Sequence, residues 1–154
     1  MDDVKTILVV SRSTHECKRA VQYGVSLARK YGAALSILHV IYNPFGLKGG
    51  VLFTRLLDLE EEYETMLKEA KQDIDRMIAN EKAANMQIKE IIRDGNPADV
   101  ILQTAKEENA DLVVMAHHEE GRIEHLFYSK GIDELTRKMP SSILLVKTEA
   151  FPSD

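Results

Sequence analysis

Short unbroken apolar runs, rich in β-branched residues, recur along this chain with longer segments of helical period between them. That alternation limits the fold more than any other feature. Thr6-Ile7-Leu8-Val9-Val10 comes first. It has no polar alternation, so it reads as a strand buried on both faces. Ser13-x-x-Glu16 then reads as a capping box, hydroxyl and carboxylate each satisfying an orphan amide of a starting helix. Cys17, Ala20, Val21, Gly24, Val25, Ala28 and Tyr31 follow at spacings of three and four, one buried stripe. Arg29 and Lys30 suit the last turn, and Gly32 just beyond it suits the left-handed exit of a helix.

The same grammar continues. Ala34 to Ile41 is a second apolar strand, and Asn43 to Gly50, with three Gly and one Pro, is a loop. From about Leu56 to Ala84 a helical stripe carries Leu56, Leu59, Tyr63, Met66, Leu67, Ala70, Ile74, Met77 and Ile78. The stripe lasts barely three heptads, which favours a helix packed on a sheet over a coiled-coil seam. Ile88 to Arg93 mixes isoleucine with Lys89 and Glu90, the pattern of an edge strand. Asn96-Pro97-Ala98-Asp99 opens a helix whose buried face is Ala98, Ile101, Leu102 and Ala105. Leu112 to Ala116 is a fourth strand; Ile132, Leu135 and Met139 mark a short helix stopped by Pro140; Ser142 to Val146 is a fifth strand. The tail after Lys147 is expected to fray.

Strands alternating with helices of this length imply right-handed crossovers. The expected α/β fold is an open doubly wound five-stranded parallel sheet, order 3-2-1-4-5, with helices on both faces. At 154 residues the chain fits one domain, with a core at about residues 4–147 and a tail at 148–154. Ligands of such sheets bind beyond the carboxyl ends of the strands where strand order reverses. That directs attention to Ser11–Thr14 and His117–Lys130.

Composition narrows the function classes. A net charge of −5 argues against a nucleic-acid partner. No apolar run approaches a membrane span, and the start Met1-Asp2-Asp3-Val4-Lys5 carries no signal-peptide pattern. With one cysteine and no internal disulfide, the cytoplasm is the expected compartment.

Ile7-Leu8-Val9, Leu27-Ala28-Arg29-Lys30-Tyr31-Gly32-Ala33 and Leu38-His39-Val40 together resemble the first half of a universal stress protein. Asp94-Gly95-Asn96-Pro97-Ala98, Ile101, Ala110 to Met115 and Pro140 to Val146 resemble the second half, so the resemblance spans about residues 4–147. The ATP-binding branch of that family carries Gly, two residues, Gly, nine residues, then Gly followed by Ser or Thr. Laid on this chain without gaps, these positions are Ala116, Glu119, Ser129 and Lys130, and none keeps the family residue. An Asp usual in that branch aligns with Arg12. The resemblance is therefore to the branch that does not bind ATP: a non-catalytic, homodimeric stress-response or interaction protein with no cofactor expected.

Two alternatives stand beside it. A loop shift bringing Gly121 and Gly131 to the phosphates would make an ATP- or AMP-binding sensor using a rearranged loop over residues 116–131. His117-His118-Glu119-Glu120 with His125 would give a small metal-dependent enzyme, although adjacent strand residues point to opposite faces and the spacing matches no zinc motif. Cys17 at a helix start could be a reactive thiolate, but its stripe position makes it a small core hydrophobe. His39 inside an apolar strand reads as a satisfied core group. No nucleophile elbow, P-loop, dinucleotide fingerprint or C-x-x-C pair is present. The last strand, Ile143-Leu144-Leu145-Val146, would be an uncharged edge, and pairing with a second copy would cover it. The resemblance implies the same, because members of the family often dimerise through this strand.

Overall fold

The first strand, β1 (Thr6–Ser11), holds the middle of the sheet because its side chains are apolar on both faces. Ile7 and Val9 enter one buried cluster and Leu8 and Val10 the other. The computed structural model describes residues 3–11, 15–41, 53–117 and 133–147. After β1 come α1 (His15–Tyr31), β2 (Ala34–Ile41), α2 (Phe53–Ala83), β3 (Ile88–Asp94), α3 (Pro97–Glu107) and β4 (Leu112–His117). A short helix α4 over residues 133–138 and β5 (Ser142–Lys147) complete the chain. All strand pairs are parallel and the order is β3-β2-β1-β4-β5, as the alternation predicts.

Each face has its own core. Under α1 and α2 lie Ile7, Val9, Val21, Val25, Ile37, Ile74, Ile78, Val114 and Val146. Under α3 and α4 lie Leu8, Leu38, Ile101, Leu102, Val113, Met115 and Leu135. Ala70, Ile74 and Ile78 settle the role of α2: its stripe packs on the sheet and is not a coiled-coil seam.

The helix ends follow their local chemistry. Gly32 leaves α1 at φ +63°. The Asn96 side chain accepts the Asp99 amide at 3.3 Å, and Pro97 occupies the first turn. Asn85 and Asn109 leave α2 and α3 in the same left-handed region.

Two stripe expectations are corrected. Tyr31 is 52% and Met66 43% exposed. Tyr31 closes α1 about 60° of arc from Ala28, so it slides off the buried stripe. Element bounds shift by one to three residues; α2 begins at Phe53 rather than Leu56, and β1, β3, β4 and β5 each run one residue further. The Ser13/Glu16 capping box, the Asn43–Gly50 loop and the tail beyond Lys147 lie outside the described residues.

β3 is an edge strand, as expected, and it is blunted by charge. Lys89 pairs with Glu108 at 2.8 Å, Glu90 with Lys71 at 2.9 Å, and Arg93 with Glu107 at 2.6 Å. The register of β1 against β4 is fixed by Asp111, whose carboxylate accepts the Lys5 and Thr6 amides, each at 2.9 Å. Asp111→Ala orphans both donors at the strand start. At this exposed position it is expected to cost about 1 kcal/mol in urea unfolding.

Candidate functional site

β1 and β4 are neighbours, but the chain leaves them in opposite directions. β1 passes to α1 on one face, and β4 passes to α4 on the other. The carboxyl ends of these two strands therefore bound the crevice where strand order reverses.

Ala116 stands there as expected, near the end of β4 and 2% exposed. Its methyl packs into the cluster under α1. Arg12, Glu119, Ser129 and Lys130 all lie outside the described residues, so the structure brings only Ala116 to the crevice.

Ser11, expected to open the loop after the first strand, belongs to the strand itself. It ends β1 fully buried, and its Oγ has no hydrogen-bond partner. Register sets it beside His39 of β2, itself buried and engaged in an interaction. Alternation could have found it, because Ile7, Val9 and Ser11 share one face of β1. An orphaned buried hydroxyl at the crevice floor is a place for one hydrogen-bonding group or water. At the β3 edge of the sheet, away from this crevice, the Tyr63 hydroxyl of α2 donates to Asp94 at the end of β3. Burial, then the Asp94 charge and this hydrogen bond, raise the Tyr63 pKa.

The metal reading gains little here. His117 closes β4 in register with Lys147 of β5, while His118, Glu119 and His125 lie outside the described residues. Among the described residues, no group of three His, Cys, Asp or Glu could hold an ion. Cys17 is buried, the position of a packing residue and not of an accessible thiolate. At the far edge, Ile143 and Leu144 of β5 are half-buried, Leu145 is 37% exposed, and Val146 is buried in the core under α1.

Comparison with known proteins places this geometry. A universal stress protein of Thermus aquaticus is 29% identical over 145 residues, covering 93% of this chain and 98% of its own. The universal stress protein UspA of Lactobacillus plantarum superposes with a TM-score of 0.71 at 19% identity, covering 95% of this chain and 99% of its own. A universal stress protein solved in complex with cAMP superposes at 0.62 with 21% identity, covering 96% and 100%. At these identities the solved structures speak for the fold alone. The model of the Universal stress protein family matches residues 3–147, and the chain belongs to that family.

Proposed function

We propose that this universal stress protein works without catalysis and without ATP, as a homodimeric interaction protein of the cytoplasmic stress response. One observation carries the reading: side chains occupy the positions where the ATP-binding branch keeps glycine or a small hydroxyl. Ala116 fills its place with a buried methyl, and in the ungapped alignment an acidic residue, Glu119, stands at the position of a glycine whose lack of a side chain lets backbone amides approach a polyphosphate. These residues do not fit that group, and no step is derived through it. The cytoplasmic assignment rests on the single cysteine; among the described residues no helix is long and apolar enough to cross a membrane. The dimer rests on β5, whose outer edge carries Ile143, Leu144 and Leu145 without a charge and has no strand beside it among the described residues.

A second reading, a nucleotide sensor using a rearranged loop, has one observation in its favour: a neighbour of the same fold was solved with cAMP. Calorimetric titration with ATP and magnesium, with AMP and cAMP as parallel arms, separates the two. A ligand at a hundred times its Kd stabilises by about 2.7 kcal/mol, which a thermal melt resolves. The expected result is no heat and no shift in Tm at millimolar nucleotide. Low-micromolar binding of any arm would replace the lead reading with the sensor.

A further inference from the structure

Tyr23, Leu27 and Tyr31 recur every four residues along α1, one turn after Arg19. Tyr23 is 43% and Tyr31 52% exposed, while Leu27 is half-buried against the same core as Leu112 and Leu144. The Arg19 guanidinium lies 5.9 Å from the Tyr23 ring centroid. From these residues we infer that the aromatic flank of α1 forms a second layer of the subunit contact, meeting the same flank of a second copy. The inference rests on β5 being the dimer strand.

The direction of the flank follows from the helix itself. At about 100° per residue, Tyr23, Leu27 and Tyr31 lie on the opposite side of α1 from Arg29. Arg29 lines a groove with Leu35 of β2 and Ile88 of β3. The aromatic side therefore overhangs β4 and β5, and α1 indeed touches β5 as well as β1 and β4. Among the described residues no other helix covers β5 on this face. α2 lies over β2 and β3, and Leu135 of α4 packs on the opposite face.

A twofold axis through antiparallel β5 edges, normal to the sheet, keeps both α1 helices on the same face. Each α1 sits over β1 and β4, about one and a half strand spacings from its own β5. The two axes are then about four spacings, roughly 19 Å, apart. That exceeds the roughly 8–10 Å of directly packed helices, so only long, rigid side chains can bridge it. Tyrosine is such a side chain. Area points the same way. A six-residue strand edge is about 20 Å long and buries far less than the roughly 800 Å² per partner of a stable interface. The exposed parts of Tyr23 and Tyr31, 43% and 52%, together amount to about one ring, roughly 150–250 Å² per partner, and add to what the strand edge buries.

Sedimentation velocity over a concentration series tests this on the wild type, the Tyr23→Glu/Tyr31→Glu double variant and Leu145→Lys. Both tyrosines are exposed on a helix, so the double variant keeps its fold, which far-UV circular dichroism checks. A Tyr23→Phe/Tyr31→Phe variant should remain dimeric, because burial and not the hydroxyl carries the contact. The expected result is a wild-type dimer whose Kd rises at least tenfold in the double variant and also in Leu145→Lys. A dimer weakened by Leu145→Lys alone would overturn the α1 layer and leave β5 as the dimer strand. A dimer weakened only by the tyrosine variant would overturn pairing through β5. A wild type that stays monomeric at high micromolar concentration would overturn both.

Discussion

Gly24→Ala is expected to destabilise the protein by about 2 kcal/mol, although alanine is the better helix former. A Cβ at this position would overlap the Cγ2 methyl of Val9, with Val9 Cβ and Leu35 Cδ1 each at 3.6 Å. Val9 is fully buried on the central strand, and its β-branched side chain is stiff at χ1, so it yields only at a cost. α1 must then lift from β1, loosening Ala20, Val21, Val25 and Ala28, at a cost near the upper end of overpacking, about 3 kcal/mol. Against that stands a gain of about 1 kcal/mol in helix propensity. Urea unfolding reads the sign directly, since an unconstrained helical glycine would give stabilisation instead. In the Gly24→Ala background, Val9→Ala should cost less than it does alone, because each relieves the other's overlap or cavity.

That close approach shows where the sequence stops being informative. Gly24 sits in the buried stripe of α1 like any small residue, and only the depth at which α1 seats on β1 reveals that nothing larger fits. The sheet itself was legible. Runs such as Thr6 to Val10 are apolar on both faces, and strands so placed must be central, while Lys89 and Glu90 mark β3 as an edge. Caps were legible where one residue does the work, as at Asn96 and Gly32. Periodicity alone misjudged Tyr31 and Met66, because a stripe says which side faces inward but not where the sheet beneath it ends. At the crevice, Ala116 entered through the family resemblance, and Ser11 was read as the start of a loop where the structure makes it the buried end of β1. A serine after an apolar run looks like the start of a turn until register sets it beside His39. The charged residues that tie β3 to its covering helices were visible as residues but not as pairs, since Arg93 and Glu107 meet only once α3 folds back along the strand.

Ile78→Ala should cost about 3 kcal/mol, and combining it with Ile74→Ala should cost more than 5 kcal/mol, a large share of a typical domain's stability. The reason is how α2 is held. It is a 31-residue helix, yet among its described side chains only Ala70, Ile74 and Ile78 are buried. Beside these and the half-buried Met77, α2 has polar ties to β3: Tyr63 with Asp94, and Lys71 with Glu90 at 2.9 Å. The Lys71 side chain is 58% exposed, so water and salt screen its ion pair, and Lys71→Met should change stability little beside the isoleucine variants. The hydrogen bond to Glu90, then the Glu90 charge, raise the Lys71 pKa. A raised folded-state pKa means that its contribution is full at neutral pH and lost as pH rises through the ammonium titration. Urea unfolding of the three variants at neutral pH, in low and high salt, decides between the two attachments. If Lys71→Met costs as much as Ile78→Ala, and the cost vanishes in salt, ion pairing and not apolar burial holds α2 to the sheet. The expected order is the reverse, with amide exchange in α2 accelerated by the isoleucine variants alone, because Ile74 and Ile78, with Ala70 beside them, anchor a helix whose outer face is already at home in water.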